Sequence, residues 1–282
     1  MGRMVSRVDI AIRSEALLGE GPRWDAGTGR LLWVDIEGRA VHIFDPASGE
    51  DRAIPVWSRV GAASWTTSPD VVLVALAERL ALLDLNDESL RTLAEIPHAG
   101  HMRMNDGACD AAGRFWVGSM ALAVTPGAAA LYRFADGELE RVLDDVTLSN
   151  GLGWSPDRTR MYYIDSMTFR VDVFDFDVGS GAVSGRRPFV SLDRDDGTPD
   201  GLAVDDAGGV WVALYGGHAV RRYDADGTLD RVVDVPAENV TACCFGGDHG
   251  RSLYITTAAP AGNVFVTDPG VAGPPAQPFQ LG

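Results

Sequence analysis

Six stretches of the 282-residue chain begin alike: a polar or glycine residue comes first, and four places on a residue heads a turn. The later residues are Trp24, Trp65, Cys109, Trp154, Val204 and Phe245, with gaps of 41, 44, 45, 50 and 41 residues. A period of this size marks one supersecondary unit repeated along the chain, and it constrains the fold more than any single motif. Four residues before the anchors stand Glu20, Gly61, Asn105, Asn150, Asp200 and Thr241. Equivalent positions in a ring of repeats lie near a common axis. Two carboxylates and two carboxamides are thereby expected to converge on one point.

Inside each repeat the apolar runs are short and rich in Val, Ile, Tyr and Trp: LLWVDI (31–36), AVHIFD (40–45), MYYIDS (161–166), RVDVFDFD (170–177), GVWVAL (209–214) and SLYITT (252–257). Turn-forming clusters such as DAGTGR (25–30), SPDRTR (155–160) and GGDHGR (246–251) separate them. Runs of this length punctuated by Gly, Asp and Pro read as hairpins, and no amphipathic helix of three turns stands out. About four strands per repeat and six repeats predict an all-β fold, a six-bladed β-propeller of four-stranded antiparallel blades, read as one domain over 1–282. The last blade lacks a good fourth strand, because GVAGPPAQPFQ (270–280) is Pro-rich. RVDIAIR (7–13) alternates well and is expected to close the ring from the N-terminus, in preference to PFQLG (278–282). The repeats differ from WD40 repeats, since Trp24-Asp25 sits at the end of a blade's first strand.

Composition narrows the function. Against 40 acidic residues stand 24 basic ones, all Arg, giving a net charge of −16. Such a surface repels nucleic acid and anionic membranes. Three Cys, two of them adjacent at 243 and 244, give no disulfide framework and read as buried free thiols. MGRMVSRVDIAIRSEALL (1–18) has no apolar core followed by a small-residue cleavage site, and no segment is long and apolar enough to span a bilayer. A cytoplasmic protein is the expectation.

Glu20, Asn150 and Asp200 are each followed by Gly, which lets backbones approach closely at a crowded axis. Oxygen donors without thiol or imidazole suit Ca²⁺, Mg²⁺ or Mn²⁺, with Zn²⁺ the less natural alternative. Glu20 and Asp200 together balance a divalent charge. Asp35 and Asp165, on second strands returning to the same mouth, are read either as groups that orient the ligands or as hairpin-end hydrogen bonders. His98 and His101 lie in the loop before blade three's inner strand. Trp24, Trp65, Trp116, Trp154 and Trp211 are expected to pack between blades.

LLGEGPRWD (17–25), RMNDGACDAAGRFWVGSM (103–120), SNGLGWSPD (149–157), TPDGLAVDDAGGVWVALYGG (198–217) and NVTACCFGGDHGRSLYITTA (239–258), taken in order, resemble the family of senescence marker proteins, regucalcins and gluconolactonases. The resemblance implies one divalent metal on Glu20, Asn150 and Asp200, and a substrate-facing segment at Arg103, Asn105 and Asp106. It also implies hydrolysis of a sugar lactone. A Ca²⁺-bound water is only weakly acidified, so a general base would help, and Asp200 is the candidate, as ligand and base at once. In one respect the chain departs from the family. Animal members carry an acid soon after the Gly-Thr-Met segment that contacts the sugar, whereas this chain reads Gly118-Ser119-Met120-Ala121-Leu122-Ala123. Sugar preference therefore does not carry over. Two alternatives stand beside the lactonase: a phosphotriester hydrolase resembling diisopropyl fluorophosphatase, with Glu20, Asn105, Asn150 and Asp200 holding catalytic Ca²⁺, and a non-catalytic calcium-binding propeller.

Overall fold

A computed structural model of the chain describes residues 7–98 and 100–281; residues 1–6 of the N-terminal reading and Gly282 of the C-terminal alternative lie outside them. Twenty-four strands form six four-stranded antiparallel sheets, with no α-helix among the described residues. The six inner strands are β2 (Gly19–Asp25), β6 (Val60–Trp65), β10 (Met102–Cys109), β14 (Ser149–Trp154), β18 (Thr198–Val204) and β22 (Val240–Gly246). They follow one another around the axis, with β22 returning to β2, and each carries one of the six sequence anchors or ends beside it. The fold is the expected six-bladed propeller.

Second strands read as unbroken apolar runs because each blade is sandwiched between two neighbours. β3 (Arg30–Asp35), β7 (Val71–Leu76) and β19 (Val210–Tyr215) are buried on both faces. The outer strand β5 (Glu50–Pro55) is largely exposed and correspondingly polar. Trp24, Trp65, Trp116, Trp154 and Trp211 sit where blades meet. Trp24 stacks on Tyr254 at 5.4 Å, Trp116 meets Trp154 edge-on at 6.2 Å, and Trp211 meets Phe245 at 5.8 Å. Trp65 donates its indole N–H to the Arg23 carbonyl of the preceding blade at 3.0 Å. Burying an aromatic of this size stabilises by roughly 1.5–3 kcal/mol, and the ring holds such a contact at several of its seams.

The N-terminus closes the ring. β1 (Val8–Ile12) pairs with β24 (Val264–Thr267) at the edge of the sixth sheet, Val8 opposite Thr267 and Ile10 opposite Phe265. The Pro-rich tail does something else. Asp206 N–H donates to Ala272 O, Ala276 N–H to Trp24 O, Phe279 N–H to Trp65 O and Gln280 N–H to Gly113 O, all at 2.7–3.1 Å. The tail thus ties blades five, one, two and three together at the far ends of the inner strands. The opposite mouth, where the inner strands begin, is left to the polar residues.

Candidate active site

All six inner strands lose regular pairing at the same level. The register shifts between Glu20 and Arg23, Val60 and Ala62, Met104 and Gly107, Ser149 and Leu152, Pro199 and Leu202, and Val240 and Ala242. An irregularity of this kind frees a residue from the ladder and re-aims its side chain. Five of the shifts enclose one of the six positions read from the sequence, and the sixth begins at Glu20, which still pairs with Val34. The glycines that follow permit close approach of neighbouring strands. A Cβ on Gly151 would stand 2.5 Å from Leu202 N, and one on Gly201 only 2.5 Å from Ala242 Cβ.

Asp35 and Asp165 fix the approach to two of these strands. Asp35 accepts from the N–H groups of Leu17 and Leu18, both at 3.0 Å, just before Glu20. Asp165 accepts from Thr147 and Leu148, again both at 3.0 Å, just before Asn150. Hairpin-end bonding and ligand positioning are here one function: each carboxylate clamps the connector that delivers a site residue.

At the mouth the structure gathers Glu20, Arg103, Asn105, Asp106, Asn150 and Asp200, all buried. Asn105 accepts from Arg103 Nη1 at 2.6 Å and donates to Ser149 O at 2.7 Å. Arg103 Nη1 also donates to Met104 O at 2.9 Å. Asn150 donates to Ser166 Oγ at 3.0 Å, which leaves its own oxygen without a partner. Asp200 Oδ1 is likewise buried and unpartnered. Asp106 accepts from Gly107 N–H at 2.7 Å and from Arg23 Nη2 at 3.0 Å.

The electrostatics follow from burying three acids together. Burial, then the charge of Asp106, pushes the Glu20 carboxyl up to about 8. Burial, then Glu20 and Asp106, raises Asp200 well above the carboxylate range, while the nearby Asn150 amide and Arg103 pull the other way. Asp106 is raised by burial and drawn back by Arg23. Burial lowers the Arg103 guanidinium, opposed by Glu20, Glu37 and Asp200. A cluster of this kind is unfavourable without a cation.

The residues present fit a hard divalent ion. Asn150 Oδ1 and Asp200 Oδ1 are buried oxygens that nothing in the protein satisfies, and Glu20 adds a second carboxylate beside them. Among the described residues no group of three or more His, Cys, Asp or Glu forms a metal cluster by itself; in the candidate set, carboxamide oxygen completes what two carboxylates begin. Asn105 is different, because Arg103 occupies its oxygen.

Sequence reasoning missed Arg23, buried inside β2, which pairs with Asp106 and also donates to Gly107 O at 2.8 Å. A charge within an inner-strand run, one residue before an anchor Trp, was the available signal. It also missed Tyr215, an exposed residue whose hydroxyl pKa is raised by partial burial and then by the charge of Asp200. His98 bonds Ala77 O at 2.6 Å in the connector leading to the third blade, and His101 is exposed there. All three cysteines are free and buried, as read, with burial pushing the Cys109 and Cys244 thiols up to about 12.

The family description SMP-30/Gluconolactonase/LRE-like region matches residues 18–259. The putative sugar lactone lactonase YvrE of Bacillus subtilis (strain 168) is 41% identical over 249 residues, covering 87% of this chain and 85% of that protein. Regucalcin of Gallus gallus is 36% identical over 283 residues, covering 93% and 94%. The crystal structure of the calcium-binding protein regucalcin from Agrobacterium tumefaciens str. C58 superposes with a TM-score of 0.93 at 27% identity, over 98% of each chain.

Proposed function

The chain belongs to the SMP-30/gluconolactonase/LRE-like family, and from that premise we propose that it is a divalent-metal-dependent lactonase, opening a sugar lactone or a related lactone to its hydroxy acid. The observation that carries the reading is the pair of bare buried oxygens on Asn150 and Asp200 beside Glu20. These three residues would hold one divalent ion, Ca²⁺ in first place, with Mg²⁺, Mn²⁺ and Zn²⁺ as alternatives. When bound, the ion supplies Lewis-acid polarisation of the lactone carbonyl.

The protein's own groups do the rest. Asp200 is the general base: beside a bound cation its carboxylate would be ionised, and it takes a proton from the attacking water. Hydroxide adds to the acyl carbon, the ring C–O bond breaks, and the departing alkoxide receives the proton that Asp200 holds. Arg103 and Asn105, locked together at 2.6 Å, offer N–H donors to the carbonyl or ring oxygens. Because Asn105 is bound to Arg103, the four-oxygen shell that the phosphotriesterase reading needs is less supported than a three-residue shell.

The test is hydrolysis of an aldonolactone panel by chelated protein and by protein refilled with each of the four cations. Activity should vanish on chelation and return with metal, while the β-fold persists. A chelated protein hydrolysing lactone at the full rate would end the metal-dependent reading.

A further inference from the structure

Of the eight large apolar side chains exposed among the described residues, five lie on the face that carries the candidate site. Leu17 and Trp57 sit in connectors entering blades one and two. Leu122, Met167 and Tyr215 sit at the ends of second strands, or in the turns after them, in blades three, four and five. Scattered exposed apolar residues need no explanation, but a set concentrated around one mouth marks a surface that meets something apolar.

Four of the five are tied to the site. Leu122 N–H donates to His101 O at 2.9 Å, two residues before Arg103. Met167 follows Ser166, the partner of Asn150. Leu17 is held by the Asp35 clamp, three residues before Glu20. Tyr215 lies opposite Thr198 in the ladder, and its hydroxyl stands within the electrostatic reach of Asp200. No carboxylate stands in the stretch Gly118–Ala123, and the exposed Leu122 lies within it.

We propose that this rim receives an apolar ring substituent, so that the chain prefers lactones bearing an alkyl or aryl group over fully hydroxylated aldonolactones. The proposal rests on the lactonase reading and names its substrate class. Hydrolysis is unchanged in form: water adds across the acyl C–O bond and gives a hydroxy acid. What differs is that the substituent gives up its hydration on entering the rim, which favours the longer chain.

Metal-loaded protein would be assayed on γ-butyrolactones carrying methyl, propyl and pentyl side chains, beside glucono- and galactonolactones. The value of kcat/KM should rise about two- to fourfold per methylene along the alkyl series. Leu122→Glu should lower the pentyl lactone's kcat/KM about tenfold and raise that of the aldonolactones. Met167→Ser and Tyr215→Ser should flatten the chain-length dependence. Binding of a γ-pentyl lactam, measured by calorimetry, should weaken in the same three variants independently of turnover. Hydrolysis of aldonolactones with no gain along the alkyl series, or an alkyl-to-aldonolactone ratio unmoved by Leu122→Glu, overturns the apolar rim and leaves the lactonase intact. Hydrolysis of neither series overturns the lactonase, and the rim with it.

Discussion

Asp200 is asked to be both ligand and base, and one substitution separates the roles. Asp200→Asn keeps the size and one oxygen donor but removes a charge and the basic site. If the carboxylate takes the water's proton, kcat should stay down by about 10²-fold or more at any metal concentration. Full recovery at saturating metal would leave Asp200 as a ligand only. Arg103 gives a contrasting expectation. Its guanidinium is held by Asn105 and Met104, so Arg103→Ala should act on catalysis more than on metal affinity. Loss of one charged hydrogen bond to the substrate should raise the barrier by about 1.5–3 kcal/mol. A kcat/KM within twofold of wild type, with metal affinity unchanged, would remove Arg103 from the substrate site.

At the scale of elements, the Asp35 and Asp165 clamps make the site dependent on connectors that lie outside the candidate ligand set. Asp165→Ala strands the N–H groups of Thr147 and Leu148 and should cost about 1.5–3 kcal/mol of stability. It should also weaken metal binding by about tenfold, because β14 then delivers Asn150 less rigidly. Titration of metal into the variant reads this directly, and unchanged affinity would mean the clamp serves folding alone. This layer was only half legible in the sequence. The acids could be placed on returning strands from the repeat alone, but whether they faced the site or the backbone depended on connector geometry. The inner-strand positions were legible because every repeat has the same offset from its anchor, and a ring turns equal offsets into one level. Ring closure by β1 was legible because RVDIAIR alternates and the tail is rich in proline. The Arg23–Asp106 pair was not, since it joins blades one and three across the channel, and no local pattern encodes a contact between residues 83 apart. The exposed rim was equally hidden: a single Leu or Met in a turn looks like any other until the fold sets several around one mouth.

Across the whole molecule, the buried acids couple site to stability. In the metal-free protein Glu20 has its pKa raised from 4.5 to about 8, and Asp200 and Asp106 are raised too. The unfolded chain releases these protons at ordinary carboxylate values. Between about pH 4.5 and 8 the native state therefore holds more protons than the unfolded state, and stability must fall as pH rises. The contribution is fully present below the unfolded value and is lost as pH passes through the folded one. The fall is of order 1 kcal/mol per pH unit for a single group in this window, or roughly 2 °C in Tm for a chain of this size. His98 opposes it weakly, because its lowered pKa makes the native state bind fewer protons near neutrality. A divalent ion opposes the trend by pairing with the ionised carboxylates. It should add about 2.7 kcal/mol at a hundredfold excess over Kd and flatten the profile. Thermal melts of chelated and metal-loaded protein from pH 5 to 8, with Glu20→Gln alongside, provide the measurement. The chelated wild type should lose Tm with rising pH, and Glu20→Gln, which cannot ionise there, should lose less. A chelated profile that is flat or rises across the window would mean that Glu20 and Asp200 are already paired within the protein, and the case for a cation at this mouth would lose its electrostatic basis.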